Sequence, residues 1–376
     1  MTHRALPILA LLLLTGATSE PGAPAPEAPG GSVGEAAAAR AAEQKRERAW
    51  FALPMAFWLP ETKLGLAAAA GVHFHLPGAG GASNAFLVAG YTMQGQGSVD
   101  ASSDLVLRGG TLLSGRFRAV HYPDAYYGIG PETTLDAREE MTRRFVELNV
   151  SAGLPVPGFG TRLRVGPHVH GRAEEISDVT PGGQIATGAV PGATGWTGVG
   201  LGFDVTWDSR DRPLWPTRGG WAQASYLHYP ASIGRNSGFG RSSLEGRLFL
   251  PLGRGRVLGV AGIMEESYGD TPFTLLSKLG STRYLRGIRE GRYRDKLGWA
   301  AQTELRVPLT TRIAGTAFVA FGDVGADLGV LSARTLKVAG GGGLRVRVTP
   351  EGANLRLDVA ESDAGPEVYV LLLEAF

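Results

Sequence analysis

The sequence predicts an all-β fold, a transmembrane antiparallel β-barrel of about sixteen strands over residues 50–376, and three observations predict it. The first is a period of two that persists along the chain, the mark of strands with chemically different faces. In 196–208, Thr197, Val199, Leu201, Phe203, Val205 and Trp207 form one face, and Gly198, Gly200, Gly202, Asp204, Thr206 and Asp208 the other. In 162–172, Leu163, Val165 and Val169 oppose Arg162, Arg164, His168, His170 and Arg172, and residues 64–76 and 354–359 divide in the same way. The second is strand length: a tilted membrane strand needs about 9 to 11 residues in hydrocarbon, whereas sandwich strands are usually shorter than these runs. The third is composition, with 56 glycines that follow no collagen period and only 19% charged residues.

Taken in order, residues 1–19 read as a secretory signal peptide. Arg4 precedes the apolar run 5–14, which is too short to span a bilayer, and the small residues Gly16, Ala17 and Ser19 follow. Residues 20–49 read as a linker. Its first part, 20–34, is rich in Pro, Ala and Gly and cannot bury a core, and 35–48 is an alanine-rich, charged short helix. Strands bounded by Gly, Pro, Asn and Asp clusters follow at 50–58, 63–75, 84–94, 99–108, 111–121, 141–153, 160–174 and 194–208. The second half continues at 218–229, 239–250, 255–267, 297–309, 312–323, 334–348, 352–361 and 367–376. An even number places both ends in the periplasm. The long connections, 122–140, 175–193 and 268–296, all follow odd strands, which is the asymmetry of long outer loops and short inner turns. Tryptophans 50, 58, 196, 207, 215, 221 and 299 fall near strand ends, where an interfacial girdle would hold them.

Chemistry of other kinds finds little support. With no cysteine the chain has neither disulfides nor thiolate metal sites, and a net charge of +2 gives no reason to expect nucleic acid. His73 with His75, and His168 with His170, stand two apart on one strand face, yet no carboxylate lies at matching spacing. They read as polar lumen residues, with no metal expected. No nucleophile, zinc-hydrolase or phosphate-loop motif occurs, so neither catalysis nor a cofactor is expected.

The stretch 280–296, GSTRYLRGIREGRYRDK, crowds five arginines and three glycines between strands eleven and twelve. Within it Tyr284, Leu285, Arg286, Gly287 and Ile288 resemble the (V/L)RG(F/Y) signature on the lumen-inserted sixth loop of the BamA/TamA outer-membrane assembly superfamily, also called the bacterial surface antigen family. Ile288 stands where an aromatic is usual. Glu304 on strand twelve resembles that family's glutamate, and 321–325, FGDVG, its F-x-D-x-G motif. Residues 122–130, YPDAYYGIG, and 208–219, DSRDRPLWPTRG, are similar to segments of its short members. Phe376 resembles the C-terminal β-signal read by the barrel assembly machinery, although Glu374 departs from the usual residue there.

The resemblance implies a lumen-inserted loop whose Arg286 pairs with Glu304 and Asp323. It also implies a bacterial outer-membrane location and a role in inserting or translocating client proteins or lipids through a seam between the first and last strands. The stretch between signal and barrel is too short for the periplasmic POTRA modules of BamA-like proteins, so a member without them is expected. The alternative from the residues alone is a channel-forming or structural barrel whose basic lumen is lined by arginines 162, 164, 172, 345 and 347.

Overall fold

Strands with one wet and one greasy face can bury both only by closing into a cylinder in a bilayer, which also leaves few unpaired edges. The computed structural model has this form; it describes residues 49–348, 354–372 and 374–376. The expected signal peptide and all of the expected linker except Ala49 lie outside the described residues.

Sixteen wall strands run antiparallel, each beside its neighbour in sequence. They are β1 (Ala49–Leu59), β2 (Lys63–His75), β3 (Ala82–Thr92), β4 (Gly97–Val106), β5 (Leu112–Tyr126), β6 (Glu139–Pro155), β7 (Leu163–Ser177) and β8 (Gly195–Asp208). Then come β9 (Gly219–Tyr229), β10 (Phe239–Gly253), β11 (Arg256–Gly269), β12 (Leu297–Pro308), β13 (Ile313–Gly325), β14 (Lys337–Arg347), β15 (Asn354–Ser362) and β16 (Gly365–Leu372). The longest connections, 127–138, 178–194 and 270–296, follow β5, β7 and β11, on the outer side. Inside the last of these, hereafter the long loop, Ser277–Leu279 pairs with Tyr293–Asp295 as a small hairpin.

Register carries the alternation around the wall. On β8, Leu201 and Phe203 are 49% and 51% exposed on the lipid side, while Asp204 is 8% exposed on the lumen side. Trp50, Trp58, Trp207 and Trp299 share the lipid-facing parity, in keeping with a girdle. Trp196, Trp215 and Trp221 do not. Trp196 has the parity of Gly198 and Gly200 and packs in the lumen against Tyr229 and Phe239, in space those glycines leave open: a Cβ at Gly200 would lie 2.6 Å from the Tyr229 ring. Trp215 and Trp221 lie under the guanidinium groups of Arg306 and Arg247, each at 4.6 Å.

One junction is weak. β1 pairs with β2 along eleven residue pairs, but with β16, among the described residues, only at Trp58, near the outer end of β1, and Val370. The last strand stops at Leu372 and does not run on to the chain's final residues. Below Trp58 the edge of β1 has no registered partner among the described residues.

Candidate functional site

The long loop folds back into the lumen, and its tip is built on strained backbone. Leu285 takes φ +56° and Gly287 φ +107°, a region that only glycine occupies freely. Leu285 is fully buried in an apolar cluster with Tyr284, Ile288, Phe249, Val257 and Phe376, and that packing holds its conformation. Between these two residues Arg286, itself fully buried, points at the lumen face of β12 to β15. Its guanidinium donates to Glu304 at 2.9 Å and to Asp358 at 2.7 Å, and stacks 3.5 Å from the centroid of Phe318.

The expected pairing with Glu304 is therefore present, whereas the one with Asp323 is not. Asp323 accepts instead from the Thr335 hydroxyl at 2.6 Å and from the Val324 backbone N–H. The reason is parity: on β13 the lumen face is Thr316, Phe318, Ala320, and an odd residue such as Asp323 points the other way. Asp358 on β15 supplies the second carboxylate. Its signal was in the sequence, since it shares the wet parity of Asn354 and Arg356.

These groups belong to a larger buried network. Glu304 also accepts from Arg306 at 2.9 Å and Arg345 at 3.2 Å, and Asp358 from Arg345 at 2.6 Å, with Arg356 at 3.0 Å. Arg345 reaches Glu374 at 2.7 Å, and Asn354 donates to that same carboxylate at 2.9 Å. Four arginines thus share three carboxylates, where charge-assisted bonds keep each ion paired out of water. Of the arginines expected to make a basic lumen, Arg345 is held here and Arg172 is bound to Glu147 and Glu174, at 2.9 and 2.8 Å. Arg164 donates to the Gly110 carbonyl, Arg162 lies in an inner turn, and Arg347 closes β14 at its inner end. Carboxylates thus neutralise two of the five arginines on which the anion-channel alternative relied, Arg172 and Arg345.

Glu374 explains the course of the chain's last residues. Its carboxylate requires Arg345 and Asn354, which face the lumen, so the chain turns inward after β16. Phe376 then stacks beside Phe249 at 6.1 Å and fills the space over Gly259, and its carbonyl accepts from Arg306 at 2.9 Å. The expected strand end at 376, with Phe376 as its last wall residue, is corrected to a lumen-inserted phenylalanine.

The loop is tied down along its whole length. At its base the Thr274 hydroxyl donates to Glu174 at 2.6 Å, a carboxylate that Trp196, Arg143 and Arg172 also bind. The 122–130 segment docks on it: Tyr126 packs edge-on against Phe273, and Gly130 pairs with Arg294. From the inner side the 208–219 turn caps the network, with Trp215 on Arg306. Burial, with Arg143 and Arg294 close by, pushes the Lys278 ammonium of the loop hairpin down to about 7.

At its tip the loop bridges the weak junction. Gly287 N–H donates to the Tyr369 hydroxyl of β16 at 2.8 Å, and Arg289 lies 3.5 Å from Glu367 of the same strand. On the other side Glu290 N–H donates to Glu61, in the turn between β1 and β2, at 2.9 Å. The histidine pairs are lumen residues: His168 meets Asp204 and Asn149, His170 meets Tyr229 and Glu147, and His73 packs on Phe86.

A closed sixteen-stranded wall with lipid outside and a loop arginine locked to lumen carboxylates defines an outer-membrane β-barrel with an internal loop. Residues 149–363 match the Omp85 superfamily domain, and the chain belongs to that superfamily. Among solved structures it is similar to BamA from Haemophilus ducreyi lacking POTRA domains 1–3, with a TM-score of 0.60 at 15% identity over 87% of this chain and 70% of that one. The alcaligin outer-membrane receptor FauA from Bordetella pertussis aligns over 87% of this chain and 75% of that one at 11% identity, but its TM-score of 0.24 carries no weight. No curated protein matches the sequence.

Proposed function

We propose that this barrel inserts or translocates client proteins or lipids at the outer membrane by opening between β1 and β16, with the long loop as an internal strut. The observation that carries this is the contrast at the seam: among the described residues a single registered pair closes the wall, while the loop tip spans both sides of it. A strand edge with unpaired N–H and C=O groups is a template for another strand. The buried arginine network keeps the rest of the wall rigid, so that opening is confined to one place. No covalent chemistry belongs to this reading. The barrel assembly machinery would be the partner during the protein's own biogenesis.

The test uses purified full-length protein in liposomes, assayed for accelerated folding of an unfolded client barrel and for ion conductance. With Trp58→Cys and Val370→Cys the seam can be locked by oxidation, since facing strand residues lie within disulfide reach. Acceleration that disappears on oxidation and returns on reduction supports the proposal. Acceleration indifferent to the lock overturns opening between β1 and β16, and conductance without acceleration overturns the proposal in favour of a channel.

A further inference from the structure

The lumen wall of a membrane barrel is ordinarily polar, yet β1 is apolar on both faces and Phe86 and Val88 of β3 extend its inner face, with the polar inward residues Lys63, His73, His75 and Asn84 standing toward the two ends of this patch. Outward stand Trp50, Leu66 and Leu87, between 49% and 79% exposed. Inward stand Phe51, Leu53, Met55 and Phe57 of β1, with Phe86 and Val88 of β3, all half-buried and outside the apolar clusters that the long loop and the terminal residues build. The rings lie flat along the wall because glycines sit beneath them: a Cβ at Gly65 would lie 2.2 Å from Phe57, and one at Gly71 2.5 Å from Phe86 and 2.6 Å from Phe51. Phe51 and Phe86 meet at 6.0 Å. The patch ends at β4, whose lumen face is Ser98, Asp100 and Ser102. Uncovered apolar surface of this extent marks a binding face.

We propose that this inner face binds the hydrocarbon tail of a membrane lipid that reaches it around the free edge of β1. Both faces of β1 are apolar and its edge below Trp58 has no registered partner among the described residues, so hydrocarbon is continuous from bilayer to patch. From Phe51 to Phe57 the patch runs about 20 Å, enough for a tail as long as half the roughly 30 Å hydrocarbon core. A peptide is the wrong occupant. The backbones of β1, β2 and β3 are mutually paired along their length, so a segment lying on this face would bury N–H and C=O groups without partners, and a hydrocarbon tail has none to lose. The inference does not depend on client insertion and survives the failure of that reading.

The chain has no cysteine, so single sites can be labelled with an environment-sensitive fluorophore in full-length protein in phosphatidylcholine liposomes. Val88→Cys reports the patch, Leu87→Cys the lipid face and Ser102→Cys the polar lumen. With doxyl-labelled phosphatidylcholine, quenching at 88 comparable to that at 87, absent at 102, and accompanied by protection of 88 from aqueous iodide, is the expected result. Adding Leu53→Asp should abolish lipid quenching at 88 and leave that at 87 unchanged. Iodide quenching at 88 without lipid quenching would mean a water-filled lumen. Protection from both would mean that a protein segment covers the face. Either outcome overturns the proposal.

Discussion

Replacing Arg286 with alanine tests the heart of the site, and its cost can be worked from the structure. The side chain makes two charge-assisted bonds, at 2.7 and 2.9 Å, each worth roughly 1.5 to 3 kcal/mol. Its stacking on Phe318 adds on the order of 1 kcal/mol. Against this, Glu304 and Asp358 retain Arg306, Arg345 and Arg356 as counter-ions, so neither carboxylate is stranded. The expected loss is about 3 to 5 kcal/mol, in the range for breaking a buried pair. Urea unfolding of the purified barrel in detergent, followed by tryptophan fluorescence, gives that number. A double-mutant cycle then locates it: Arg286→Ala with Asp358→Asn should show a coupling of about 1 to 3 kcal/mol, and with Asp323→Asn none beyond about 0.5 kcal/mol. A loss below about 1 kcal/mol, the value for an exposed arginine, would show that the loop does not hold Arg286 in the lumen. Coupling to Asp323 in place of Asp358 would refute the parity argument.

Phe376→Ala should leave a cavity against Phe249 and Gly259 and cost about 3 to 5 kcal/mol in the same assay; a cost near zero would return Phe376 to the role of a biogenesis signal alone. Gly287→Ala should cost on the order of 1 to 3 kcal/mol, because the residue must hold φ +107° with its new methyl 3.3 Å from Ala360; unchanged stability would mean the tip relaxes elsewhere. Lys278 loses its proton above about 7 in the folded loop but keeps it to about 10.5 when unfolded, so its contribution to stability rises with pH across that window and is constant below it. Lys278→Met should flatten that slope in urea midpoints measured from pH 6 to 10, and an unchanged slope would sink the assignment.

What the sequence alone determined is what local periodicity can encode. Alternation with period two assigned the sixteen strands, the lipid and lumen faces of β7, β8 and β15, and the long outer connections, because a side chain's face depends only on its position along its own strand. The pairing of Arg286 with Glu304 came from the resemblance of 284–288 and Glu304 to the family's motifs, not from periodicity. Parity, followed one strand further, would have removed Asp323 and the girdle role of Trp196. Tertiary structure alone decided the rest. That Asp358 rather than another wet carboxylate meets Arg286 depends on how far the loop reaches across the lumen, a contact between residues 72 positions apart. That Glu374 draws Phe376 inward depends on Arg345 and Asn354 standing opposite it. And that the seam between β1 and β16 is closed, among the described residues, by one pair depends on where the last strand leaves the wall. These are relations between strands distant in the chain, set by closure and by the pairing of buried charge, and no single strand's pattern contains them.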